Sequence, residues 1–215
     1  MKNQFNVKQS TLDALLLIAG KKDIRYYLNG LYIEFDATTT RVVGCDGHKL
    51  GIYQETKENT GAGSLIILRS TIENLPKKAG DLTFIQDENN QWRINAENCA
   101  VFLTPENAQY PDFRRVVSSI QTAGTSGVAA GYNLNYLNDF EKCGNLLGGN
   151  KLRMGNRLRL HHNGDAAGLV LLSCVDGFAG VIMPMRDSVG SSGALFPLEL
   201  TRELSATAQP EPVAA

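Results

Sequence analysis

One arrangement of apolar residues occurs three times along the chain: a short strand, a helix with one apolar face, then a run of strands. The copies follow one another at roughly 60 residues, and a unit that small cannot bury a core alone. The chain is therefore expected to fold by packing its repeats against one another in a quasi-symmetric architecture.

The first copy covers residues 4–54. Phe5 and Val7 alternate with polar residues as a strand. Ser10 fits an N-cap with Asp13 at the capping-box position, and Leu12, Leu15, Leu16 and Ala19 recur at helical spacing up to Gly20. Arg25–Phe35 reads as two strands about an Asn29-Gly30 turn, and Arg41–Tyr53 as two more about Asp46-Gly47. In the second copy, residues 64–117, Leu65–Leu68 precedes a short helix that starts at Ser70-Thr71 and is cut by Pro76. Leu82–Ile85, Trp92–Ala96 and Ala100–Leu103 follow as strands. Residues 118–130 form a small-residue linker. The third copy places Leu134, Leu137 and Phe140 on a helix broken at Gly148-Gly149. Its strands are Leu152–Met154, Leu158–His161, Leu169–Cys174 and Gly180–Met185. The tail, residues 188–215, is Ser/Gly-rich with one apolar patch, Ala194–Leu200, and reads as flexible.

Composition narrows the function. The 215 residues are 43% hydrophobic and 20% charged with a net charge of −1, so any contact with nucleic acid must be local or topological. The four cysteines, Cys45, Cys99, Cys143 and Cys174, form no CxxC pair, and the first residues carry no apolar leader; both point to the cytoplasm. The longest apolar run, Leu15–Ala19, is too short for a bilayer, so no membrane partner is expected. His161 and His162 are adjacent and face opposite ways on a strand, and His48 lies in no ligand spacing, so neither a metal nor another cofactor is expected. Cys45 or Cys174 with His48 would still need a base and an orienting group to make a nucleophile. No enzymatic activity is expected.

Four stretches become specific together: RYYLNG (25–30), DGHKL (46–50), YPDFRRV (110–116) and VIMPMR (181–186). In this order and at these separations they resemble the bacterial DNA polymerase III beta subunit, the sliding clamp. Residues 1–117 resemble the middle domain of that clamp, and residues 131–187 the C-terminal part of its last domain, as in a shortened paralogue. The resemblance implies an α+β DNA-clamp fold of repeated strand–helix–strands modules, with antiparallel sheets outside and helices inside. It also implies a ring around double-stranded DNA that tethers polymerase and clamp-loader peptides through a hydrophobic pocket.

The family's pocket wall matches Leu28, then Gly47, His48, Lys49 and Leu50. It continues through Pro111, Arg115 and Val116, and ends with Val181, Met183, Pro184, Met185 and Arg186. Cys45 stands where the family usually has threonine, and Lys49 where it has arginine, which removes a planar guanidinium. Methionines suit an adaptable apolar groove for an extended peptide. If helices line a ring, the candidate DNA contacts are Lys21, Lys22 and Arg25, then Arg69, Lys77 and Lys78, then Lys142 and Lys151.

Two functions compete on these grounds: an encircling sliding clamp, and a clamp-like adaptor or decoy that captures clamp-binding peptides without enclosing DNA. The family's ring has about twelve modules, so three per chain suggests a homo-tetramer, with dimer and monomer as alternatives. An odd module count leaves the third repeat without its usual partner within the chain, so it is expected to pair with a neighbour's free edge or to be capped by residues 118–130 or the tail.

Overall fold

The computed structural model describes residues 2–76, 80–97, 99–121, 131–148, 158–163, 166–173 and 175–185. One compact unit spans Met1–Pro184, and of the remaining unit only Met185 is described. The first repeat comprises β1 (Asn3–Lys8), α1 (Gln9–Leu16), a 3-10 turn (Tyr26–Leu28), β2 (Gly30–Phe35), β3 (Thr39–Cys45) and β4 (Lys49–Thr56). The second comprises β5 (Gly63–Leu68), α2 (Arg69–Glu73), β6 (Asp81–Gln86), β7 (Trp92–Ala96) and β8 (Cys99–Leu103). After α3 (Phe113–Gln121), the third supplies α4 (Leu134–Gly148), β9 (Leu158–Asn163), β10 (Ala166–Leu172) and β11 (Phe178–Ile182).

Every strand pairing is antiparallel. A four-stranded sheet runs β1-β6-β7-β8, and a seven-stranded sheet runs β5-β2-β3-β4-β11-β10-β9. The main core lies where α1 and α4 meet the sheets. Its aromatic centre is Phe5, stacked on Phe35 at 4.5 Å and on Phe84 at 4.7 Å. Helices come close enough to the strands that glycine is required beneath them. A Cβ at Gly44 would sit 2.5 Å from the Leu15 carbonyl of α1, and one at Gly180 would sit 2.6 Å from the Phe140 ring of α4.

The third repeat docks on the first within the chain, a contact the module count did not anticipate. β11 pairs with β4 from Phe178↔Tyr53 to Ile182↔Lys49, and α4 packs on α1. The apolar faces of Phe140, Cys143, Val170 and Phe178 make that join worth forming.

Four local expectations change. Strand β1 runs straight into α1, so the cap position is Lys8 with no side-chain cap; the Gln9 N–H donates to the Gly80 carbonyl at 2.9 Å, and Ser10 and Asp13 form no capping box. Helix α1 ends at Leu16, and its last carbonyls are taken by Arg69, whose Nη2 donates to Leu16 O at 2.6 Å and Gly20 O at 3.1 Å. No hairpin forms at Asn29-Gly30: Tyr26–Leu28 is a 3-10 turn, because Asn29 ties the chain back to Asp23 through paired hydrogen bonds of 2.8 and 2.7 Å. The stretch expected as linker begins as helix α3, with 122–130 outside the described residues; Phe113, Val117 and Ile120 share a face that buries on the sheet. The strand expected over Leu152–Met154 and the tail 188–215 also lie outside the described residues.

Phe140→Ala removes the ring that fills the α4–β11 contact. It is expected to cost about 3–5 kcal/mol, read as a lower midpoint in urea unfolding.

Candidate functional site

The Asp46-Gly47 turn joins β3 to β4, and its shape is set by local hydrogen bonds. Asp46 Oδ1 accepts from the His48 and Lys49 N–H groups, both at 2.8 Å, while Gly47 takes a φ of +90° that only glycine adopts without strain. The His48 carbonyl accepts from Met183 N–H at 2.8 Å, which fastens the end of β11 to the turn. Arg25 closes the other side. Its guanidinium makes two hydrogen bonds to Asp23, at 3.0 and 2.7 Å, and one to the Asp46 carbonyl at 3.2 Å. A Cβ on residue 47 would lie 2.8 Å from Arg25 Nη2. The hydrogen bond from Arg25 holds the Asp23 carboxyl down at about 2.

On the outer face of the seven-stranded sheet, α3 and residues 104–112 cover a second apolar cluster of Leu28, Val43, Leu50, Ile66, Tyr110, Phe113, Ile120 and Val181. Tyr110 stacks on Tyr32 at 5.2 Å, and Arg114 ties α3 to Glu34 of β2, which Arg41 also holds at 2.8 Å. Burial raises the Glu34 carboxyl, but the hydrogen bonds from Arg114 and Arg41 outweigh it and keep it below the ordinary glutamate range.

Between the turn, α3 and the end of β11 lies an apolar cavity of about 260 Å³. Leu28, Gly47, His48, Lys49, Leu50, Pro111, Val116, Val181 and Met183 line it, so the structure brings together most of the wall read from sequence. Met183 is 45% exposed at its mouth. Arg115 is exposed on α3 and Pro184 is half-buried, and neither lines the cavity. Met185 belongs to the second unit and is exposed, and Arg186 lies outside the described residues.

Sequence reasoning missed four lining residues: Arg25, Cys45, Tyr110 and Phe113. Two of them, Tyr110 and Phe113, sit inside the YPDFRRV stretch, where their aromatic character was the available signal. The Tyr110 hydroxyl is buried, and that burial pushes it well above the usual tyrosine range, against a smaller lowering from the Cys45 backbone. Burial likewise raises the Cys45 thiol, whose Sγ accepts from Gly47 N–H at 3.3 Å. A protonated thiol is a poor nucleophile.

Several basic residues are committed elsewhere. Lys49 is only 7% exposed; its amine pairs with Asp139 of α4 at 2.8 Å and Asp46 at 3.2 Å, and lies 5.1 Å from the centre of the Tyr136 ring. It is an internal tie between the turn and α4, where sequence suggested a cation of the pocket wall. Among the DNA candidates, Arg25 lies at the cavity rim and Arg69 caps α1. Lys21, Lys22 and Lys142 are exposed, the first two beside a polar hollow of about 590 Å³ that Asp23, Asp46 and Asp139 also line. Lys22 has a φ of +62°, a strained setting for a residue with a side chain. Lys77, Lys78 and Lys151 lie outside the described residues. Among the described residues, no three His, Cys, Asp or Glu side chains group so as to hold a metal, and no helix is long and apolar enough to cross a membrane.

With this geometry the chain can be set beside known proteins. The Beta sliding clamp of Proteus mirabilis is 27% identical over 123 residues, which is 53% of this chain and 34% of the clamp. That of Escherichia coli K12 is 26% identical over 122 residues, 53% of this chain and 33% of the clamp. In structure, the DNA polymerase sliding clamp from Pseudomonas aeruginosa superposes with a TM-score of 0.63 at 18% identity, over 86% of this chain and 67% of that one.

In sequence over about half its length, and in fold, the chain is similar to bacterial beta sliding clamps.

DNA polymerase III beta subunit from Thermotoga maritima matches equally well, with a TM-score of 0.63 at 14% identity over 86% of this chain and 66% of that one. These likenesses give the sliding-clamp fold, α+β with antiparallel sheets. The matched region is about a third of the length of the curated clamps. No protein-family model matches the chain.

The Arg114–Glu34 tie makes the cavity wall acid-sensitive. A glutamate held below its unfolded value of about 4.3 adds stability above that pH and loses it as pH falls through the folded value. Denaturant unfolding at pH 7 and pH 3.5 is expected to show that loss, with faster amide exchange in α3. Glu34→Gln is expected to loosen α3 already at pH 7 and to flatten the acid dependence.

Proposed function

We propose that this protein is a non-enzymatic tether of the sliding-clamp type. It holds an extended peptide in the cavity between the β3–β4 turn, α3 and β11, and it serves DNA replication partners such as polymerases by enclosing duplex DNA. The observation that carries the peptide-binding part is the apolar cavity itself, assembled from residues of distant repeats and closed on one side by a charge-fixed arginine. Apolar walls of Leu28, Leu50, Val116 and Val181 suit leucine or phenylalanine anchors, and the half-exposed Met183 can adapt its shape to them. Arg25 offers donors at the rim for a peptide carbonyl or carboxylate.

Calorimetry with a peptide carrying a glutamine followed by leucine and phenylalanine anchors tests the pocket. Met183→Ala removes apolar contact and is expected to weaken binding by about 1–2 kcal/mol. Unchanged affinity in that variant means the peptide binds elsewhere.

For the encircling part, the exposed Lys21, Lys22 and Lys142 supply cations, and four copies would bring together twelve repeats. The adaptor reading stays open because Lys49 is paired with Asp139, Arg69 caps α1, and Arg25, though exposed, is held by Asp23, so three of the described candidate cations are already engaged within the chain. Retention on circular and linearised plasmid separates the two. A clamp is expected to stay on circles at high salt and to run off linear DNA. Release from both by moderate salt favours the adaptor.

A further inference from the structure

The cavity wall made by the Asp46-Gly47 turn is held by the third repeat. Lys49 opens β4, and its neighbour Leu50 joins the apolar cluster under α3, so the Lys49 side chain leaves on the other face of the strand, toward α4. There its amine meets Asp139 at 2.8 Å and Asp46 at 3.2 Å, and lies over the Tyr136 ring. Tyr136 and Asp139 are three residues apart on α4 and so share a face of it. The same Tyr136 ring stacks against the His48 imidazole, with 6.0 Å between ring centres. Gly47, His48 and Lys49 line the cavity, whereas Asp139 and Tyr136 do not. Asp139 lines the polar hollow, which shares His48 and Lys49 with the cavity as a common wall.

An ammonium group as buried as that of Lys49 must direct its donors at fixed partners, because a buried charge left unpaired is costly. Asp46 is poorly placed to hold it alone. Its Oδ1 already accepts the His48 and Lys49 N–H groups that shape the turn, and its Oδ2 reaches the amine at the longer of the two distances. Without the Asp139 carboxylate, the ammonium would be left to the one carboxylate that sets the turn, and any shift of Asp46 toward it would disturb both N–H bonds.

We propose that Asp139 is a positioning residue for the cavity: acting through the Lys49 amine, it fixes the turn so that Gly47, His48 and Lys49 stand where a bound peptide meets them. Asp139 itself touches no peptide. The inference rests on the reading of the cavity as a peptide site, and it makes the affinity of that site depend on a carboxylate of the third repeat that lies outside it.

Calorimetry on the full chain with the peptide of glutamine, leucine and phenylalanine anchors tests it, together with hydrogen–deuterium exchange at the His48 and Lys49 amides that Asp46 holds. Asp139→Asn is expected to bind about tenfold more weakly, the scale of one hydrogen bond to a charged group, and to exchange those amides faster. Asp139→Glu keeps the carboxylate and is expected to bind like the parent. In a Lys49→Met background, Asp139→Asn is expected to weaken binding no further, because its effect runs through the amine. Unchanged affinity in Asp139→Asn overturns the proposal. So does an equal loss in both backgrounds, which marks Asp139 as general support for α4. A parent that binds no peptide refutes the pocket reading instead; the turn amides then decide, and exchange unchanged by Asp139→Asn overturns the proposal. Should Asp139→Asn not fold, Lys49→Met breaks the same pair from its other end: faster exchange at His48 supports the proposal, and unchanged exchange overturns it.

Discussion

The pairing of β4 with β11 is the contact on which the rest of this structure depends. It joins a strand of the first repeat to the last strand of the third across about 130 residues of chain. Backbone hydrogen bonds alone would not hold such a join, since their net contribution is small in water. Burial does more: α4 lies against α1, and Phe140 fills the space over Gly180. The same pairing places Val181 opposite Leu50 and brings Met183 to the His48 carbonyl. The cavity is therefore a consequence of the join.

Charge placement follows the same logic. Surface ion pairs contribute little, but charges fixed at element ends or in half-buried positions decide local shape. Arg69 stands where the last carbonyls of α1 need a partner, and Lys49 fastens the turn to α4 through Asp139. Arg25, held by Asp23, sets the height of the cavity rim against Gly47. A chain with a net charge of −1 thus keeps several of its basic residues inside its own architecture. Lys21, Lys22 and Lys142 remain outward.

Much of the fold was legible because strands and helices announce themselves by periodicity. β1, β3, β4 and β6 to β8 fall close to where alternation and turn residues put them, and Pro76 ended the second helix as its geometry requires. The errors share one cause. Ser10, the Asn29-Gly30 pair and the small residues after Val117 carry genuine local signals, and each was overruled by a partner distant in sequence: the Gly80 carbonyl, Asp23, and the outer face of the sheet.

By itself the sequence determined the repeat, the class of fold, the turn at Asp46-Gly47 and, through four short stretches, most of the residues around one cavity. These are properties of local periodicity and residue type, which survive without knowledge of neighbours. Only the tertiary structure decided that Lys49 is an internal tie, that Arg25 faces the cavity, that Tyr110 and Phe113 line it, and that the third repeat docks on the first. Those outcomes depend on which distant groups arrive at each side chain, and long-range pairing of strands leaves no mark in the local pattern of either one.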